Sequence, residues 1–291
     1  MNIKVSLVAF ICLVSSGNAD VSSHRAIERT DDAFKEIASV VSENSETAVR
    51  VGTWNVKRFG NGSKRYDLVA KVIEENTDVV SLQEIMNPES VIKLMDLLPG
   101  WTYRISHSVG RSGYFEHYAI LIRKSVGSFT ESQTINDPGD NWAREPFLAC
   151  VDVHKSEMCL LSIHVIYGDS TKERDDEIRS LLARAALIKR MNPTRGLIVL
   201  GDFNRSGNSS AFISILGKEF SMADTGTMKT TLGSRSYVNP YDHILVDGGL
   251  ILRTQGDAFM FDIVENVCNR DFKWCLKNVS DHAPVILHLG L

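Results

Sequence analysis

Leu197-Ile198-Val199-Leu200-Gly201-Asp202-Phe203-Asn204 opens on four apolar residues and closes on a glycine, a carboxylate and an amide. A short apolar run bounded by such residues reads as a strand buried on both faces. The same ending recurs along the chain. Val51-Gly52-Thr53-Trp54-Asn55-Val56 reads as a strand with Asn55 near its end, and Val79–Gln83 as a strand running into Glu84. Met158–Val165 carries His164 near its end, Asp242–Val246 opens on Tyr241-Asp242-His243, and Ser280-Asp281-His282-Ala283-Pro284 precedes the strand Val285–Leu289. One such residue is most often a turn or cap. Six such places in one chain point to strand ends gathered around a site.

Between these strands lie helical patterns. Tyr66–Asn76 has apolar residues at 66, 69, 70 and 73, Ser90–Leu98 reads as a second helix, and Asp175–Met191 carries Ile178, Leu181, Leu182, Ala185 and Ile188 on one face. Tyr118–Ile122 is a further strand, and Phe147–Val153 with Met158–Val165 forms a hairpin pair. Strands dominate and helices separate some of them, which predicts an α/β sandwich of two sheets covered by helices, in one domain over residues 49–291.

The 291 residues hold 43% hydrophobic and 23% charged side chains, which excludes a largely disordered chain. With 32 basic against 36 acidic side chains the net charge is −4, so there is no general attraction to nucleic acid. A local basic groove or a bound metal remains open. Lys4, the apolar run Val5–Val14 and the small residues Ser15-Ser16-Gly17-Asn18-Ala19 describe a secretory signal peptide, residues 1–19. Residues 20–48 read as a polar leader segment. The expected location is therefore outside the cytoplasm, extracellular or periplasmic. Of the five cysteines, Cys12 lies in the signal segment. Cys150, Cys159, Cys268 and Cys275 allow three pairings, of which the local pairs Cys150–Cys159 and Cys268–Cys275 are simplest.

The strand-end residues share one chemistry. Glu84, Asp202 and Asp281 offer hard carboxylate oxygens, and Asn55 and Asn204 offer neutral oxygens and amide donors. Mg2+ or Mn2+ prefers such ligands and often sits against a substrate phosphate. His164 and His282 titrate near neutral pH. Glu116 and Asp242 are each suited to orient one imidazole. A metal, two histidines and two orienting acids form a phosphodiesterase site, with one histidine as general base and the other as general acid. Neither a Gly-x-Ser-x-Gly elbow nor a Gly-x-x-x-x-Gly-Lys-[Ser/Thr] loop is present, so the commonest hydrolase and ATPase readings lack support.

Thr53-Trp54-Asn55-Val56-Lys57-Arg58-Phe59-Gly60, Gln83-Glu84, Gly110–Tyr118, Arg144-Glu145-Pro146-Phe147, Gly201-Asp202-Phe203-Asn204, Tyr241-Asp242 and Ser280–Pro284 occur in that order. Together they resemble the deoxyribonuclease I branch of the endonuclease/exonuclease/phosphatase superfamily, over roughly Val51 to Leu289. The resemblance implies a four-layer α/β sandwich with its strand ends at one face, and metal-dependent cleavage of DNA to 5′-phosphate and 3′-hydroxyl ends. It implies His164 as general acid paired with Glu116, and His282 as general base paired with Asp242. Glu84 would be the central metal ligand, with Asn55, Asp202, Asn204 and Asp281 completing the metal and phosphate shell. Lys57, Arg111, Tyr114 and Arg144 would contact the backbone or minor groove of double-stranded DNA.

There are departures from the family pattern. Met86 stands where relatives place a groove-entering arginine. The loop Thr134–Trp142 lacks their cysteine pair, although Asp137, Asp140 and Glu145 are candidates for a structural Ca2+. The disulfide usual after Gly-Asp-Phe-Asn is replaced by Arg205-Ser206-Gly207. His117, His154, His243 and His288 are expected on the surface or in packing. The expected activity is a secreted, monomeric DNA endonuclease without membrane contact. The alternatives are a nuclease-like toxin subunit needing partner chains, or a phosphoinositide or sphingomyelin phosphoesterase on the same scaffold.

Overall fold

The computed structural model describes residues 48–291 except 112, 155, 214, 215 and 218. The predicted signal peptide and nearly all of the leader segment lie outside the described residues. In chain order the first strands are β1 (Ala48–Phe59), β2 (Val79–Ile85), β3 (Trp101–Ile105), β4 (Val109–Arg111), β5 (Tyr114–Arg123) and β6 (Gly127–Thr134). They are followed by β7 (Phe147–Val153), β8 (Ser156–His164), β9 (Gly196–Asp202), β10 (Phe220–Met222), β11 (Asp242–Asp247), β12 (Phe259–Met260) and β13 (Val285–Gly290). The helices are α1 (Tyr66–Asn76), α2 (Pro88–Asp96), α3 (Thr171–Met191), α4 (Ser210–Ile213), α5 (Ile263–Asn266) and α6 (Phe272–Asn278).

The strands form two mixed sheets. One runs β12-β13-β1-β2-β5-β3, with β4 paired to β5; the other runs β10-β11-β9-β8-β7-β6. The predicted four layers are present because each inner strand is apolar on both faces. On β8, Met158 and Leu160 enter the core between the sheets, while Leu161 and Ile163 face α3. On β1, Val51 faces the other sheet and Trp54 and Val56 join the layer holding α1 and α2. Burial on both faces is what makes these strands continuous apolar runs. Truncating one such residue, Leu160 for instance, costs about 2–5 kcal/mol.

Several element ends differ from the sequence reading for local reasons. Helix α3 begins before Asp175, because the Ser170 hydroxyl accepts a hydrogen bond from Glu173 N at 3.3 Å and so caps an earlier turn. Helix α2 begins at Pro88, with the Asn87 side chain accepting from Ser90 N at 2.9 Å. Strand β6 was not expected. It is an edge strand of mostly exposed Ser, Thr, Glu and Gln, so its sequence lacks apolar alternation. Both local disulfides are present, with Cys150 and Cys159 directly opposite each other on β7 and β8.

Candidate active site

Along the inner strands, the residues facing the opposite sheet change from apolar to polar in steps of two. On β1 the series is Val51, Thr53, Asn55; on β2 it is Val79, Ser81, Gln83; on β8 it is Leu160, Ser162, His164; on β9 it is Ile198, Leu200, Asp202. Strands β5 and β11 run the other way, so Glu116 and Asp242 stand at the starts of their series. Strand register then sets His164 beside Asp202 and Asp202 beside Asp242, three side chains in one row. The polar end is stitched across the sheets by Ser81 Oγ donating to Ser162 Oγ at 2.6 Å and Gln83 Nε2 donating to Ser162 Oγ at 3.2 Å. Gly201 is required here: a Cβ at this residue would lie 2.0 Å from the Ile163 carbonyl oxygen of the neighbouring strand.

His164 ends β8 and takes its acid from the other sheet, and His282, on the segment leading into β13, takes its acid from the sheet that β13 does not belong to. His164 Nδ1 lies 2.9 Å from Glu116 Oε1 on β5, and His282 Nδ1 lies 2.7 Å from Asp242 Oδ2 on β11. A carboxylate only accepts, so each Nδ1 carries a proton and each Nε2 faces inward. Both Nε2 atoms approach the same atom, Asp202 Oδ2, at 3.6 Å and 3.5 Å. Around His282, Trp54 Nε1 donates to the His282 carbonyl at 2.7 Å, and Ser280 Oγ donates to Asn55 O at 2.7 Å while accepting from His282 N at 3.0 Å. These contacts explain the Trp-Asn and Ser-Asp-His spacings.

The two imidazoles lie in different fields. Burial and Arg144 push His164 down, Glu116 and Asp202 push it up, and the balance lies above the ordinary histidine value. At His282 burial is outweighed by Asp242, Asp202 and Asp281, which push the ring up to about 10. Burial also raises Asp202. Negative charge is concentrated at the His282 end, and positive charge brought there by a divalent cation would oppose the upward push on the ring.

Asn55 Nδ2 donates to Glu84 Oε1 and to Asp202 Oδ2, each at 3.0 Å, while its oxygen accepts from Lys57 N at 2.9 Å. Glu84 Oε2 also accepts from Arg58 N at 2.9 Å and Tyr114 Oη at 3.2 Å. Asp281 pairs through Oδ2 with Lys57 Nζ at 2.9 Å, and its Oδ1 is buried with no hydrogen-bond partner among the described residues. The donor set of Glu84, Asp202 and Asp281 fits a hard divalent cation, and the unpartnered Asp281 oxygen is the observation that favours one. A tighter cluster of Asp202, Asp242 and His282 is a second candidate, since Asp242 Oδ1 is likewise buried without a hydrogen-bond partner among the described residues, and the Asp242 bond at Nδ1 leaves the His282 Nε2 lone pair free. Lys57, Arg58, Glu84 and Asn204 all adopt positive φ, a strained conformation that a well-braced site can hold.

A groove of about 570 Å³ opens over this cluster. It is lined by Lys57, Glu84, Tyr114, Arg144, His164, Asp202, Asn204, Asp281 and His282 among the expected residues. Asn55, Glu116 and Asp242 are buried beneath it. Asn204 holds Val165 O through Nδ2 at 2.8 Å. Arg144 spends Nε on His164 O at 2.9 Å and Nη2 on Val165 O at 3.0 Å, so it braces the loop that follows His164. Arg111 does not line the groove; it pairs with Asp140 at 2.9 Å on the surface. Asp137 turns its carboxylate onto Asn141 Nδ2 and Trp142 N, Asp140 is taken by Arg111, and Asp137, Asp140 and Glu145 do not form a metal-sized cluster among the described residues. The groove also gains Arg58, Tyr167, Thr231, Leu232, Val238, Asn239 and Tyr241. Only loop lengths, which place residues 166–168 and 231–239 beside the strand ends, could have flagged most of these.

The model of the endonuclease/exonuclease/phosphatase family matches residues 52–282. A deoxyribonuclease of Thioalkalivibrio sp. (strain K90mix) is 29% identical over 81% of this chain and 70% of its own length. The mouse deoxyribonuclease-1-like 2 is 27% identical over 82% of this chain and 91% of its own. Among solved structures, the mannosyl-6-phosphatase of Bacteroides thetaiotaomicron superposes with a TM-score of 0.61 at 18% identity, covering 84% of this chain and all of the phosphatase, a likeness of fold alone. On the matched residues and the two-sheet fold, the chain belongs to the endonuclease/exonuclease/phosphatase family of nucleases and phosphatases.

Proposed function

We propose that the protein is a secreted, divalent-metal-dependent endonuclease that hydrolyses DNA phosphodiester bonds. The observation that carries this reading is the pair of imidazoles braced by Glu116 and Asp242 with both Nε2 atoms on one oxygen of Asp202. In the proposed reaction His282 Nε2 takes a proton from water, whose oxygen attacks phosphorus. The bond from phosphorus to O3′ breaks, and that oxygen takes its proton from His164, leaving a 5′-phosphate and a 3′-hydroxyl. Buried Glu116 raises the His164 ring against burial and Arg144, which favours the protonated form this task needs. A cation held by Glu84 and Asp281, with Asp202 beside them, would polarise the phosphoryl oxygen. Asn55 and Asn204 hold these carboxylates and the neighbouring loop in position.

DNA is favoured as the substrate by the deoxyribonuclease relatives and by the groove wall, where Lys57 and Arg58 lie beside Tyr114, the Arg58 guanidinium 5.8 Å from its ring centre. Secretion is supported by the apolar start of the chain and by the two disulfides. The test is nicking of supercoiled plasmid by the secreted form, in Mg2+ and in EDTA, with phosphoinositide and sphingomyelin run in parallel. Mg2+-dependent nicking with no phosphate from lipid is expected. Phosphate released from lipid by an enzyme that leaves plasmid intact would overturn the reading, and silence on all substrates would point to a missing partner chain.

A further inference from the structure

We propose that the loop joining β8 to α3 carries a stacking site for an unpaired nucleobase, formed by Tyr167 resting on Arg174, which raises the affinity of the groove for single-stranded relative to duplex DNA. The proposal rests on the nuclease reading above and sharpens its substrate preference. Tyr167 is 62% exposed and lines the groove three residues beyond His164. The Arg174 guanidinium carbon sits 4.5 Å from its ring centre, within cation–π range. Arg174 is itself held by the carbonyls of Tyr167 and, at 3.5 Å, Gly168. One face of the ring is therefore backed by a cation, and the exposure belongs to its remaining face and edge.

The loop is tied down at the two residues that precede the ring. Val165 N donates to Asp202 O at 2.9 Å, and Val165 O accepts from Arg144 and Asn204. Ile166 N donates to the buried carboxylate of Glu177 at 2.9 Å. Such a ring is held in place before any ligand arrives, so stacking on it loses little entropy. A base inside a duplex has both faces covered by its neighbours, whereas an unpaired base offers a face to an aromatic ring. The site lies on the His164 side of the groove, next to the nucleoside whose O3′ leaves.

The test compares full-length wild type, Tyr167→Ala and Tyr167→Phe on a labelled single strand and on a hairpin duplex of the same sequence. Binding is read in EDTA and cleavage in Mg2+. Tyr167→Ala should lower the ratio of single-strand to duplex affinity about tenfold, the scale of one lost base stack, and Tyr167→Phe should restore it. An abasic residue on the leaving side of the cleaved bond should lose the same factor in wild type. An unchanged ratio would overturn the stacking site, as would Tyr167-dependent capture of the protein by phosphatidylcholine vesicles. If wild type nicks no DNA yet binds the single strand through Tyr167, the nuclease reading fails and the stacking site stands. If wild type nicks plasmid and the ratio ignores Tyr167, the stacking site alone fails.

Discussion

Asp242 and His243 are neighbours in sequence, yet strand alternation sends them to opposite faces of β11. Asp242 points between the sheets and holds His282; His243 points to the helix side, among Phe203 and Phe212, and pairs with Asp224 at 3.1 Å. Both faces thus carry a buried imidazole on a buried carboxylate. The difference is the second ring nitrogen. His243 Nε2 is spent on the carbonyls of Arg205 at 2.9 Å and Pro240 at 3.1 Å, and the ring is fully buried. His282 Nε2 faces the groove and Asp202. With acceptors at both nitrogens, His243 is a cation that ties the loop after Asn204 to β11. A buried His–Asp pair therefore marks chemistry only when its outer nitrogen opens on a groove.

The largest test of that distinction is loss of the groove imidazoles. His164→Ala and His282→Ala should each lower plasmid nicking by a factor of about 10² to 10⁴, the range for general acid–base catalysis, while circular dichroism stays that of wild type. His243→Ala should do the reverse. It leaves Asp224 buried without its cation, which costs about 3–5 kcal/mol in urea unfolding, while nicking per folded molecule changes by less than tenfold. If His243→Ala stopped nicking without loss of stability, the two faces would not be separable as drawn.

A pH series sharpens the same comparison by a smaller effect. Burial pushes the His243 ring down, but Asp224 outweighs it, so the folded value lies above the ordinary 6.5. A raised folded value means the native state holds its proton more tightly than the unfolded chain. That stability is fully present below about pH 6.5 and is lost as pH rises through the folded value. The raised His164 and His282 act with the same sign, so the wild-type slope is shared. Asp224→Asn should make the decline above pH 6.5 shallower while the groove pairs keep their part. An unaltered slope would show that His243 is not charged in the native state.

The same alternation explains what the sequence disclosed. Apolar runs that close on polar residues are legible at Val51–Asn55 and Leu197–Asn204, and they mark the gathered strand ends. His164, Asp202 and Asp242 are legible as polar residues at strand ends, whereas the register that sets them side by side comes from the pairing of whole strands. His243 was expected in packing or on the surface. Nothing local marks its charge, since Asp224 lies on an irregular segment and the carbonyls it meets come from folded loops. Tyr167 and the residues 231–239 were missed because loops carry no periodicity. Arg111 was expected at the DNA because its motif block was read as a unit. Without DNA its guanidinium pairs with Asp140, at the end of a loop whose course the sequence does not fix.

Arg111 therefore provides the smallest and most discriminating effect. Its side chain is 42% exposed and that of Asp140 is 79% exposed, so water screens the pair and its loss should cost less than 1 kcal/mol. If Arg111 leaves Asp140 to meet a phosphate, Arg111→Ala should reduce the slope of log affinity against log salt by about one, and Asp140→Ala should tighten DNA binding by freeing the guanidinium. If the pair stays closed, both substitutions should leave the slope unchanged, and the basic contact with DNA would fall to Lys57 and Arg58. Arg144 offers no such freedom. It is 8% exposed, braces the carbonyls of His164 and Val165, and lies 3.8 Å from Glu116. Its removal should lower the turnover rate more than the salt slope, which separates a residue that holds the groove in shape from one that meets the substrate at its rim.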